Sequence, residues 1–245
     1  MRPNVYVTDH IHSKVVSNAF SSGCNGKLVP PLRLLDGPAV FYGILRGCGG
    51  LIHECEWIDR DYYHIDHGYL KRGHYEGYYR VTKNGLQADM FQRGPTDSGR
   101  FRALGLGVKP WGKTGRNIVV CPMTGFIGEH LGIDPRKWCE SVVRELSLYT
   151  DRPIIVKQKG QGDLSETLTD AWCLVTHSSN AAIDAIISGV PAIVLGDSAA
   201  EPVSWTFEDI EKPDWPERSS WLYGLAWRQF TLDEMRSGFC WQAVK

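Results

Sequence analysis

"VTHSSNAAIDAIISGVPAIVLGD", residues 175–197, is the stretch from which the fold can be read. An apolar run stops at Thr176, His177, Ser178 and Ser179. Apolar residues at helical spacing follow, then Gly189 as a helix stop and the apolar run "PAIVLGD". Strands apolar throughout and joined by a helix call for a parallel sheet covered on both faces. Outward from this unit the alternation continues. "RNIVVCPM" reads as a buried strand and "DPRKWCESVVRELSLY" as a helix with Asp134 as N-cap and Pro135 in its first turn. "RPIIVKQK" is a strand, "DLSETLTD" a short helix and "AWCLVTH" a strand.

The first half carries the same alternation less cleanly. "NVYVTD" is a strand ending at an acid, "HSKVVSNAF" a helix, and "SSGCNG" a turn cluster. "AVFYGI" and "YYHIDHGY" read as strands, separated by the Gly-rich "GCGG" and the short helix "LIHECEWIDR". Residues 71–87 look hairpin-like, and the Gly-, Arg- and aromatic-rich stretch to residue 115 looks like a connection. The acidic segment "TFEDIEKPDWPER" leads into a tryptophan-rich tail with helical spacing, in which Thr231 and Glu234 form a capping-box pattern. The expectation is an α/β protein of two Rossmann-like domains, residues 1–110 and 111–215, with a C-terminal helical tail over 216–245.

The chain's 245 residues, 42% hydrophobic and 22% charged, suit a globular enzyme, and no run approaches the roughly 20 apolar residues of a membrane span. The N-terminus lacks the apolar stretch of a signal peptide, so a cytoplasmic location without membrane contact is expected. Seven cysteines without a C-x-x-C pair read as reduced core thiols. The net charge of −1 hides an asymmetry. Residues 71–116 hold ten basic against three acidic side chains, while residues 161–245 hold five against thirteen. The first excess points to a polyanion, or to a solvated surface with chance clustering.

In an open parallel sheet, ligands sit beyond the carboxyl ends of the strands, where backbone N–H groups and hydroxyls suit a diphosphate. "THSSN" offers both, and Asp184 could accept hydrogen bonds from a ribose diol. The bland alternative is that Ser178 or Ser179 caps the helix while Asp184 faces solvent. "NAAIDAIISGVPAIVLGD" resembles the donor-site helix of GT-B glycosyltransferases. The resemblance covers residues 117–205 and departs from that pattern at 184, where Asp stands for the usual Glu. It implies two domains facing a central cleft and metal-independent transfer from a nucleotide sugar, UDP-linked by expectation, as co-substrate without a further cofactor. Thr176, His177, Ser178, Ser179 and Asn180 would then contact the donor phosphates, with Thr124 and Gly125 nearby and Asp184 on the ribose. "RPIIVKQKG" is similar to the strand before that site in capsule and polyol-phosphate transferase relatives, which gives Lys157 or Lys159 a place on the diphosphate.

The resemblance places the acceptor and its base in the first half. Asp66 in "YYHIDHGYL", oriented by His67 or His64, and Asp9 are the candidate bases, unless each merely stabilises its own turn or caps a helix. His64, His67 and His74, or His10 and His12, have no cysteine pair beside them and are not expected to bind zinc. Tyr69, Tyr75, Tyr78, Tyr79, Phe91, Phe101 and Trp111 interleave with basic residues, a pattern that suits stacking of a flipped base. Lys71, Arg72, Arg80, Arg93, Arg100 and Arg102 would bind DNA phosphates. The tail is similar to that of bacteriophage proteins of this fold, which implies glycosylation of hydroxymethylated pyrimidines in DNA, in the host cytoplasm. The alternatives are transfer of a glycosyl or polyol-phosphate group to a cell-surface polysaccharide, or a non-catalytic nucleotide-binding module. Oligomeric state is not readable.

Overall fold

The computed structural model describes residues 2–91, 95 and 97–245. The chain forms two units, Met1–Ala88 with Leu225–Lys245, and Asp89–Gly224. In chain order the first unit contains β1 (Asn4–Tyr6), α1 (Ile11–Cys24), β2 (Lys27–Val29), β3 (Ala39–Tyr42), α2 (Cys48–Trp57), β4 (Tyr62–His67) and β5 (Tyr79–Lys83). The second contains α3 (Gly99–Ala103), β6 (Asn117–Cys121), α4 (Gly125–Leu131), α5 (Pro135–Leu146), β7 (Ile154–Val156), α6 (Leu164–Leu168), β8 (Ala171–Thr176), α7 (Ala181–Ile187) and β9 (Ala192–Val194). Then α8 (Ser219–Trp227) leads to β10 (Gln229–Phe230), α9 (Leu232–Arg236) and α10 (Phe239–Val244).

The expected α/β architecture of two sheets is present. The first sheet runs β10-β5-β4-β3-β1-β2, parallel from β2 to β4, with β5 antiparallel to β4 and β10 antiparallel to β5. The second runs β7-β6-β8-β9 and is parallel throughout. Each parallel stretch places its second strand outside its first and its third and fourth on the other side. That order reverses between first and third strands, at β1/β3 and again at β6/β8, the switch point where such sheets bind ligands.

Alternation along the strands explains why both faces of the first sheet are covered. Val5, Val40, Tyr63 and Ile65 pack with α1 residues Val16 and Phe20, while Tyr6, Phe41 and Tyr62 pack with α2 residues Leu51, Ile52 and Cys55. The segment expected as a helical tail returns to this unit: β10 extends its sheet, and Phe230, Leu232, Met235 and Cys240 join its core. The division therefore falls after residue 88 rather than 110, and the tail contains a strand.

The second unit's core is built on tryptophan. Trp172, Trp205 and Trp215 pack with ring centroids 5.3 to 6.0 Å apart. Their surroundings pin the acidic segment across the sheet. Trp172 Nε1 donates to the Ile210 carbonyl at 2.7 Å, Trp205 Nε1 to that of Asp214, and Trp111 Nε1 to that of Pro216 at 3.2 Å. Two of the local cap signals held. Asp134 accepts from the backbone N–H groups of Arg136 and Lys137, and Thr231 and Glu234 close their capping box. Cys121 and Cys173 are buried in β6 and β8, and burial pushes the Cys121 thiol up to about 11.

Candidate functional site

Parallel register puts the carboxyl ends of the second sheet on one edge. Cys121 pairs with Thr176, Thr176 with Val194, and Val120 with Val156. The turns that follow bring Thr124 and Gly125, Lys157 and Lys159, and His177 to Ser179 to that edge. Thr124 and His177 flank the β6/β8 switch point. Most of the expected donor residues therefore share one edge of one sheet, although they span about a quarter of the chain.

Their individual states differ. Thr176 is fully buried, and its hydroxyl donates to the Cys121 carbonyl at 2.7 Å. It ties β8 to β6 and has no group left to offer a ligand, which corrects its place among the phosphate contacts. Ser179 Oγ accepts from the Ala181 N–H at 3.2 Å, a local turn that serves the start of α7. Lys157 Nζ donates to the Gly162 carbonyl at 2.8 Å and also to that of Gln161, holding its own loop closed. Lys159 is exposed. Asp184 lies half-buried in the first turn of α7, and Asn180 precedes that helix. The Thr124 hydroxyl is buried and meets no hydrogen-bond partner among the described residues.

His177 is half-buried. Its Nδ1 lies 3.2 Å from Ser178 Oγ, and its ring meets that of Trp138 edge-on at 6.2 Å. Burial lowers its pKa against the opposing pull of Asp197, so the ring is neutral at neutral pH. A methyl group on Gly196 would lie 2.1 Å from His177 Cε1, so the imidazole rests directly on that glycine's backbone. Trp138, Gly196 and Asp197 thus belong to the candidate site, although sequence reasoning missed them. The only advance signal was the Gly-Asp pair at the end of "PAIVLGD".

In the first unit, Asp66 and His67 sit at the end of β4 and Asp9 beyond β1, again at the carboxyl edge. Asp66 Oδ2 lies 2.9 Å from Arg80 Nη2, and its Oδ1 accepts from the His67 N–H at 2.7 Å. Burial opposes its charge, but the Arg80 guanidinium, aided by His64 and the His67 N–H, holds the carboxyl below the usual carboxylate range. A carboxylate so stabilised is a poor proton acceptor. His67 has a pKa lowered chiefly by burial, with Asp66 opposing and His74, Arg80 and Arg72 reinforcing. A neutral imidazole can accept a proton. Asp9 is fully exposed beside Lys14, and His10 rather than Asp9 occupies the N-cap position of α1.

The basic set expected to meet DNA is dispersed. Arg80 is buried, its side chain 7% exposed, and donates to the carbonyls of Leu86 and His67 as well as to Asp66. It is an internal pin, which corrects its assignment to a phosphate. Lys71 and Arg72 are exposed on the first unit, Arg102 is exposed and Arg100 half-buried on the second, and Arg93 lies outside the described residues. Of the aromatics, Tyr69, Tyr79 and Phe101 are core residues, and Trp111 is covered by Arg218 at 3.9 Å. Tyr75 and Phe91 remain exposed.

No protein-family model matches the sequence, and no curated protein is similar to it at a significant level. Solved structures do match. Thermosulfurimonas dismutans KpsC, beta Kdo 2,4 transferase, aligns with a TM-score of 0.53 and 13% identity over 91% of this chain and 89% of that one. The beta Kdo 2,7 transferase of KpsC from the same organism aligns with a TM-score of 0.56 and 10% identity over 99% of each chain. The fold is shared with these transferases. The alignments extend over the residues of both sheets. Among the described residues no helix is long and apolar enough to cross a membrane, and no group of His, Cys, Asp or Glu is placed to hold a metal ion.

Proposed function

We propose that the protein is a glycosyltransferase that moves a sugar from a nucleotide-sugar donor to a carbohydrate hydroxyl, with the donor held by the second unit. The observation that carries this reading is the gathering of Thr124, Lys157, His177, Ser178 and Asp184 at the switch-point edge of a fold shared with two Kdo transferases. Ser178, the neutral His177 and the loop N–H groups would bind the donor phosphates. Lys157 would exchange its two loop carbonyls for them, and Asp184 would take the ribose diol. On the first unit, His67 is a better proton acceptor than Asp66, whose charge is already committed to Arg80. His67 is therefore the candidate base for the acceptor hydroxyl.

A saccharide acceptor is favoured over hydroxymethylated DNA because the features that spoke for DNA are partly internal. Arg80 is an internal ion-pair partner, and the aromatic residues Tyr69, Tyr79 and Phe101 are core. The test is incubation with a panel of nucleotide-activated sugars that includes activated Kdo, alongside oligosaccharide acceptors and hydroxymethylcytosine DNA, read by mass spectrometry. Sugar added to an oligosaccharide supports the reading, and sugar added only to DNA restores the phage-type alternative. Tight nucleotide binding with neither transfer nor donor hydrolysis would make the protein a binding module.

A further inference from the structure

Three separate segments of the first unit bring imidazoles together at the carboxyl edge of its sheet. His10 and His12 come from the junction of β1 and α1, which is the switch-point side, His67 from the end of β4, and His74 from the loop before β5. The His10 and His12 ring centroids are 5.1 Å apart, those of His12 and His74 4.1 Å apart and nearly parallel at 15°, and those of His74 and His67 5.2 Å apart. Tyr75 flanks His12 at 5.2 Å, and Tyr79 stacks on His67 at 6.0 Å. His74 is exposed, and His10, His12 and His67 are half-exposed, so solutes reach the chain of rings. His12 Nδ1 is buried and has no hydrogen-bond partner among the described residues.

The charged groups around these rings are few. Asp66 is neutralised by Arg80, Asp9 faces Lys14 at 3.8 Å, and Arg72 bears on His67 electrostatically. Tyr42, Tyr75 and Tyr79 add hydroxyls, the Tyr79 hydroxyl donating to the His74 carbonyl. Two imidazolium ions stacked at 4.1 Å repel each other, so the His12–His74 pair disfavours double protonation until a negative charge bridges it. Burial, followed by His74 and His10, lowers the His12 pKa, in keeping with that repulsion.

We propose that His10, His12 and His74 form a subsite for a carboxylate or phosphate group, and that binding is coupled to uptake of a proton. Neutral imidazoles present one N–H each, and protonation adds a second donor and a charge, so the anion and the proton stabilise one another. Among the described residues no group of His, Cys, Asp or Glu is placed to hold a metal ion, these rings included. The proposal rests on the transferase reading only in assigning the anion to the acceptor, where it would sit one ring away from His67.

Binding alone tests it, so its failure is distinguishable from failure of the transferase reading. The imidazole resonances of the full chain are followed by nuclear magnetic resonance with inorganic phosphate, glucuronate or glucose, at about pH 6 and about pH 8 and constant ionic strength. Phosphate or glucuronate is expected to shift the His10, His12 and His74 signals, with affinity rising about tenfold per unit fall in pH where one proton is taken up. The stronger of the two anions identifies the group. His74→Gln, at an exposed position, is expected to weaken that binding about tenfold and to flatten its pH slope. No response to either anion, an equal response to glucose, or an unchanged affinity and slope in His74→Gln would overturn the proposal.

Discussion

The Asp66 carboxylate and the Arg80 guanidinium lie 2.9 Å apart, the arginine side chain 7% exposed and the aspartate 36%, so each stabilises the charge of the other. Replacing Arg80 with Met removes the partner of Asp66 and the donors to Leu86 and His67, and is expected to cost about 3 kcal/mol in urea unfolding. The pH dependence has a defined sign. Because the folded-state pKa of Asp66 is depressed, its contribution is present above the unfolded carboxylate value of about 3.9 and is lost as pH falls through the folded value. Wild type should therefore exceed Asp66→Asn in stability at neutral pH, and the gap should close below about pH 4. A gap that widens on acidification would show that Asp66 is not the stabilised partner. In the second unit, Asp184→Ala should weaken nucleotide-sugar binding by about 1 to 3 kcal/mol, measured by calorimetry, if its carboxylate holds the ribose. Sequence alone could propose Asp184 and Ser178 because strand-end chemistry is local. It could not see that Arg80 is spent internally, since a charged side chain is surface by default and the pairing of β5 with β4 and β10 is what encloses this one.

At the scale of elements, what was legible depended on how local the determinants are. Asp134, Pro135 and the Thr231–Glu234 box announce their helices because a cap is satisfied within three residues. By contrast β10 has two residues and exists only because Gln229 and Phe230 pair with Arg80 and Tyr79, about 150 positions away. Two glycines separate helix contact from helix propensity. A methyl at Gly23, near the end of α1, would lie 1.8 Å from the Met235 carbonyl of α9, so these backbones approach too closely for any side chain. Gly50 in α2 is exposed with nothing within 4 Å. Gly23→Ala should destabilise the first unit by about 1 to 3 kcal/mol through overpacking, and Gly50→Ala should stabilise it by about 0.5 to 1 kcal/mol. Paired chemical denaturation curves check both. Gly196→Ala differs again, because the added methyl meets a side chain that can swing away. Displacement of His177 predicts several-fold weaker nucleotide-sugar affinity at nearly unchanged stability; unchanged affinity would remove His177 from the donor site.

For the whole molecule, the alternation of strands and helices behind the parallel stretch of each sheet was readable, while the route of the C-terminal segment was not. Its helical spacing was correct for α8, α9 and α10, yet spacing carries no information about which sheet a helix covers. The segment completes the first unit: Phe230, Leu232, Met235 and Cys240 are buried in the cluster that holds α1 against β4 and β5. Large apolar side chains of this kind contribute about 1.5 to 3 kcal/mol each when buried. Phe230, Leu232 and Met235 together approach the total stability of about 5 to 15 kcal/mol expected for a domain. Removing residues 225–245 should therefore unfold the first unit and leave the second, whose core draws on none of them. Hydrogen exchange followed by mass spectrometry distinguishes the outcomes. In the shortened chain, amides of α1, β4 and β5 should exchange at the rate of an unfolded chain, whereas those of β6 and β8 keep their protection and the Trp172–Trp205–Trp215 cluster keeps its near-ultraviolet signal. Protection of β5 equal to that in the full chain would mean that the first unit holds together without β10, α9 and α10, and that their burial follows its folding without driving it.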